Sequence, residues 1–159
     1  MTWATTGTRE ELDPDVVRLV EEGTPYTRTL GARLVELGRE HAVLLLDAPE
    51  ALANHVGGPH AATLFGLAET AAAGVLVTLF QDLVHAGCVP LIKGAEISYR
   101  AITRGRVRAT ATFVGDAEGV RASIALRGVA VFPVDVVLTD EDGLPTASVR
   151  AEMALKRWE

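Results

Sequence analysis

One cysteine, Cys88, stands among 159 residues, so no disulfide can form within the chain, and a reducing compartment suits it. Its ordinary reading is a small buried apolar residue. Positive charge is scarce as well. Fifteen Lys and Arg against 21 Asp and Glu leave a net charge of −6, which argues against a general nucleic-acid binder, because neutralising phosphates takes a basic surface. A local basic patch for a small anion stays open. There is no internal repeat, low-complexity tract or domain linker. Residues Met1-Thr2-Trp3-Ala4-Thr5-Thr6 lack the basic start and apolar centre of an export signal, so a cytoplasmic protein is expected. What is present is an ordinary globular balance, 48% hydrophobic and 23% charged residues. The expectation is a single domain over 1–159, large enough to bury a core without staples, folding alone or with copies of itself.

The longest organised stretch begins at Asn54-His55-Val56-Gly57-Gly58-Pro59-His60-Ala61-Ala62 and continues in apolar residues to Leu83. Gly57 and Gly58 mark a loop, and Pro59 has the fixed φ and missing N–H that suit a helix start. Periodicity predicts a helix of about 24 residues from His60, roughly 36 Å long. Residues 61–80 are long enough to test as a membrane span. Glu69 near their middle would cost about 2.5 to 3.5 kcal/mol there, and the flanks lack Lys and Arg, so a buried core helix without a membrane is the reading. At 100° per residue, Glu69 falls at the edge of the apolar arc, between Leu76 and Phe80. Such a carboxylate is either half-buried beside a cleft, with a raised pKa suited to general-base or nucleophilic work, or a surface glutamate at the rim of an interface. His60 reads as a structural hydrogen-bonder or a catalyst, and Asn54 as a loop residue or a site residue.

Around this stretch the chain predicts a first helix over 9–22, as part of a helical extension over 1–28, with Asp13 and Pro14 at its start and Gly23-Thr24-Pro25 ending it. Strands follow over 29–37 and 40–47. After the long helix comes a loop over 84–90, then strands over 93–103 and 106–114, the latter with Val107, Ala109, Ala111 and Phe113 on one face. A short helix over 116–127 stops at Gly128, and strands over 129–139 and 145–155 form a hairpin around Asp140-Glu141-Asp142-Gly143. About six strands and one dominant helix make an α+β protein with an antiparallel sheet wrapped over the helix.

The string Asn54, then His60-Ala61-Ala62 six positions on, then Glu69 nine positions after the histidine and followed by Thr70-Ala71, resembles the signature of hot-dog-fold thioesterases. The likeness is to the phenylacetate-degradation-type (PaaI-like) branch, which carries Asn, His-Gly-Gly and an Asp or Glu at those spacings, and also to hot-dog relatives of unassigned function. The resemblance implies hydrolysis of an acyl thioester, acyl-CoA above all, with coenzyme A as part of the substrate and no cofactor or metal. It makes Glu69 the base that activates water, or the nucleophile, and the Ala61 backbone N–H the oxyanion donor. Asn54 and His60 then orient the thioester end of the pocket. Phe65, Leu76, Phe80 and Tyr99 are the candidates to line an acyl pocket, without deciding between aliphatic and aromatic groups. Among Lys93, Arg100, Arg104, Arg106 and Arg108, Arg104 beside Gly105 is the candidate for the coenzyme A phosphates.

Spacing adds a constraint. His60 and Glu69 lie nine residues apart, roughly 13.5 Å along the helix and about 180° around it, so they cannot face one substrate within one chain. The resemblance implies the same, since hot-dog domains pair and combine one subunit's helix start with the other's acid, so a homodimer or a dimer of dimers is expected. There are two departures from the family pattern: His60-Ala61-Ala62 replaces His-Gly-Gly, and Ala73 stands where related enzymes can offer a hydroxyl. The rival expectation is a non-catalytic hot-dog protein that binds an acyl chain or a partner; dehydratase chemistry, with its different Asp/His arrangement, is a third.

Overall fold

The computed structural model describes residues 7–158. The missing export signal expected at residues 1–6 lies outside the described residues, and the N-terminal extension is described from residue 7 on. Seven strands, β1 (Gly7–Thr8), β2 (Arg33–Leu37), β3 (His41–Leu46), β4 (Cys88–Tyr99), β5 (Val107–Phe113), β6 (Val129–Thr139) and β7 (Pro145–Arg157), form one sheet. Its order is β1-β2-β3-β5-β6-β7-β4, and every pairing is antiparallel. Six of these are full strands, and β1 adds a two-residue edge. The helices are α1 (Pro14–Glu22), α2 (Pro25–Leu30), α3 (Ala61–Leu79), α4 (Gln81–His85) and α5 (Ala117–Arg127).

Strand alternation explains the layering. Val107, Ala109, Ala111 and Phe113 of β5 are buried, as are Val134, Val136 and Leu138 of β6 and Val149, Ala151 and Met153 of β7, because alternate side chains point to one face of a sheet. That face packs on α3, whose Leu64, Leu67, Ala68, Ala71, Ala72, Val75 and Leu76 are buried in turn. The result is the expected α+β plan of a sheet over a central helix. α3 is also long and apolar enough to cross a membrane, yet 72% of its most hydropathic window is buried within the fold. Cys88 is buried and unpaired.

Several boundaries differ from expectation. α3 has 19 residues rather than about 24, because Phe80 leaves helical geometry at φ −121°, ψ 30°, and the chain restarts as α4. Tertiary packing overrides the helical pattern here. The Phe80 ring is fully buried against Phe113 and Phe132, at centroid distances of 5.7 and 5.4 Å. Arg121 of α5 lies over the same ring and donates to the Leu79 carbonyl at 3.0 Å, satisfying a group the helix end leaves open.

The helix expected over 9–22 is a 3-10 turn, Arg9–Glu11, followed by α1. The strand expected from residue 29 starts only at Arg33, because 25–30 are helical: the Thr24 hydroxyl accepts from the Thr27 N–H, and Pro25 takes the first position. The loop expected over 84–90 is α4 plus the start of β4, which begins at Cys88 and ends at Tyr99 rather than 103. Pro90 is tolerated inside β4 because that strand pairs only with β7. α5 and the β6–β7 hairpin lie where expected.

Candidate active site

The loop before α3 is closed by Asn54. Its side-chain oxygen accepts from the N–H groups of Val56 and Gly58, at 2.9 and 3.1 Å, and its amide nitrogen donates to the Pro59 carbonyl at 3.1 Å. One carboxamide thus satisfies three backbone groups that no strand or helix takes up. Gly58 is required for space, since a Cβ there would run into the Thr103 carbonyl. The loop is pinned to the turn that precedes it as well: the His60 N–H and the Thr63 hydroxyl both donate to the Leu52 carbonyl, at 2.8 and 3.1 Å.

His60 is the N-cap of α3, with extended backbone (φ −60°, ψ 148°), and its Nδ1 accepts from the Ala62 N–H at 3.0 Å. The cap engages the Ala62 N–H and leaves that of Ala61 as an orphan donor of the first turn. Ala61 and Ala62 are exposed. Tyr99, at the end of β4, donates its hydroxyl to the Ala61 carbonyl at 2.9 Å, tying the helix start to the sheet.

Two turns further on stands Glu69. In a helix that is buried almost all round, the partly open positions after Ala61 and Ala62 are Phe65, Glu69, Ala73 and Thr78, and the first three, spaced by four, form one stripe. The helix start and Glu69 are therefore separated along the axis, with Phe65 between them, more than around it. Ala61 and Glu69 are eight residues apart, roughly 12 Å. Glu69 has no hydrogen bond or ion pair among the described residues, and burial raises its pKa above the ordinary glutamate range. It opens onto a cavity of about 490 Å³ between α1, α2 and α3, walled by Leu19, Val20, Val77, Val84 and Pro90. An unpaired, half-desolvated carboxylate against an apolar cavity can accept a proton readily.

The other residues singled out from sequence are dispersed. Leu76 and Phe80 are fully buried in the core and do not line this cavity; Phe65 is half-buried on the open stripe, and Tyr99 is half-exposed on the edge strand. The cavity's apolar wall comes instead from α1, from Ala73 and Val77 of α3, and from Val84 of α4 and Pro90 of β4. Tyr26 of α2 also lines it, with its phenol held above its usual pKa by burial and by the Glu69 charge. Sequence reasoning missed this residue because Gly23-Thr24-Pro25 reads as a stop signal. The same Thr-Pro pair is a helix start, and reading it so would have placed Tyr26 on α2.

Of the basic candidates, Lys93 pairs with Glu152, Arg106 with Asp47 and Arg108 with Glu36, and Arg100 donates to the Ser148 hydroxyl. The Arg104 guanidinium has no such partner among the described residues. It lies in the β4–β5 turn next to Thr103, the residue on which Gly58 rests. No cluster of three His, Cys, Asp or Glu side chains suited to a metal ion occurs among the described residues.

One antiparallel sheet laid over one long helix is the hot-dog plan, and the chain shares it with solved structures of thioesterase-family proteins. Residues 15–155 match DUF4442, a domain of unknown function, and the chain belongs to that family. Among solved structures, a protein of unknown function from Pseudomonas aeruginosa described as a probable thioesterase is similar over 90% of this chain and 94% of its own, with TM-score 0.76 and 27% identity. The PaaI protein of the phenylacetic acid degradation operon of E. coli matches at TM-score 0.67 and 16% identity, over 91% of this chain and 92% of that one. A thioesterase family protein from Silicibacter pomeroyi matches at TM-score 0.70 and 18% identity, over 91% and 98%. At these lower identities the likeness is one of fold. No curated protein matches the chain.

Proposed function

We propose that this protein is a cytoplasmic acyl-CoA thioesterase that works as a homodimer, alone or paired again as a dimer of dimers. The observation that carries the reading is Glu69: an unpaired carboxylate, raised in pKa by burial, at the mouth of an apolar cavity. Glu69 takes a proton from water, the water oxygen attacks the thioester carbonyl, and the negative charge that develops on the carbonyl oxygen is met by the Ala61 N–H and the positive end of α3. When the C–S bond breaks, the proton on Glu69 passes to the departing thiolate. Direct attack by the Glu69 carboxylate is the alternative first step. Asn54 and His60 serve by holding the helix start, and Arg104 is offered to the phosphates of coenzyme A. The scheme needs no metal or cofactor.

The dimer follows from distance and from an open edge. A separation of roughly 12 Å along one helix is too long for one carbonyl to touch both the Ala61 N–H and Glu69, so each site takes one of them from each subunit. β4 supports this reading: twelve residues long, paired on one side only, it carries Leu91 and Tyr99 exposed, 43% and 48% accessible, on the edge where a second copy can add. The test is hydrolysis of phenylacetyl-CoA and octanoyl-CoA by the parent and by Glu69→Gln, with sedimentation of the parent. Turnover lost in Glu69→Gln is expected. No turnover by the parent would favour the rival, an acyl-binding protein without catalysis; equal turnover by both removes Glu69 from the mechanism; a stable monomer contradicts the shared site.

A further inference from the structure

We infer that Tyr26 is a positioning residue for the hydrolytic water, supplying from α2 the hydroxyl that α3 lacks at Ala73. The inference rests on the general-base reading of Glu69. Four hydroxyls border the cavity: Thr24, Tyr26, Thr27 and Thr70. Three of their protons are committed. Thr70 donates to the Gly66 carbonyl at 2.8 Å, Thr27 to the Thr24 carbonyl at 3.0 Å, and Thr24 to the Thr27 hydroxyl at 3.3 Å. The Tyr26 O–H has no acceptor among the described residues. It is thus the one hydroxyl at the cavity with a proton to give.

Its placement is specific. The Tyr26 hydroxyl lies directly against Gly66, at a distance that any Cβ there would obstruct. Gly66 precedes Glu69 by three residues, so the two share a helix face. A glycine inside a helix costs stability relative to alanine, and here its absent side chain is the space the phenol occupies. Tyr26 and Glu69 sense one another electrostatically without a direct hydrogen bond between them. A water between donor and acceptor closes the gap: it accepts from the Tyr26 O–H on one lone pair, donates one proton to the Glu69 carboxylate, and keeps the second lone pair for the thioester carbon. Proton and electron accounting is that of the proposed hydrolysis, and the phenol keeps its proton throughout.

Two variants test this, each assayed with octanoyl-CoA as the full-length dimer beside Glu69→Gln. Tyr26→Phe keeps the ring and removes the donor; it is expected to lower kcat about 10- to 100-fold, with KM within about twofold. Gly66→Ala should give the same split by displacing the hydroxyl, while its thermal melting stays at or above the parent's. A Tyr26→Phe enzyme with the parent's kcat, or one changed in KM alone, overturns the role of Tyr26 and leaves the Glu69 reading standing if Glu69→Gln is inactive. A Glu69→Gln enzyme that keeps the parent's rate, or an inactive parent, sinks both.

Discussion

The two ends of the open stripe on α3 are built in opposite ways. At its start most polar groups are paired: the Asn54 side chain accepts two hydrogen bonds and donates one to close the loop, His60 caps the helix, and Tyr99 holds the Ala61 carbonyl. Two turns on, Glu69 borders a mainly apolar cavity and has no hydrogen bond or ion pair among the described residues. The first end is held by these hydrogen bonds and leaves the Ala61 backbone N–H without a partner among the described residues. The second keeps a carboxylate whose charge burial disfavours, the group that the proposed hydrolysis would use as its base.

Removing the reactive end should have the largest effect. Glu69→Gln is expected to lower kcat about 10²- to 10⁴-fold in steady-state hydrolysis of octanoyl-CoA. In the parent, kcat/KM should fall on acidification with an apparent pKa above the ordinary glutamate range, since burial favours the protonated form and the base must be ionised to act. At the other end, Ala61→Pro is a narrow change. Proline suits the first helical position, His60 already has the extended backbone that must precede it, and what is lost is the N–H. A drop in kcat of about 10²- to 10³-fold with an unchanged Tm is expected. Asn54→Ala should instead cost stability, about 1–2 kcal/mol from backbone groups left unpaired, read as a fall of roughly 2–8 °C in Tm. Asn54→Asp, which keeps both accepting bonds, should lose less.

The smallest effect has an unusual sign. Glu69 has a higher pKa folded than unfolded, so its ionisation works against folding above the folded value, and that penalty disappears as the pH falls below the ordinary glutamate range. Glu69→Gln should therefore raise Tm at pH 7.5 by about 1–3 °C. The gain should vanish in melts at pH 4. A loss of stability at pH 7.5 would mean that the carboxylate is satisfied after all, and the contrast between the two ends would collapse.

The sheet was legible in the sequence wherever one of its faces meets the core. β5 and β6 alternate throughout, β7 alternates over 147–153, and all three lie within two residues of expectation, because register follows from which side chains must be buried. β4 was placed too late: as an edge strand half open to solvent it carries little burial pattern to read. The end of α3 could not be found from helical periodicity, since Phe80 departs from the helix to meet Phe113 and Phe132, which lie over 30 and 50 residues away in sequence. The edge position of Glu69 on the helix was readable by angle. Which side chains wall its cavity was not, because Leu19, Val84 and Pro90 come from elements whose packing no local pattern specifies, whereas Leu76 and Phe80 turn into the core.

The central claim is that the N–H of one subunit's Ala61 works with the Glu69 of the other. Mixing Ala61→Pro and Glu69→Gln proteins, each inactive alone, and exchanging their subunits tests it most directly. A shared site gives each hybrid dimer one intact pair, so a randomised equal mixture should recover about a quarter of the parent's octanoyl-CoA hydrolysis. No recovery, in a mixture shown to contain hybrids, would contradict the account.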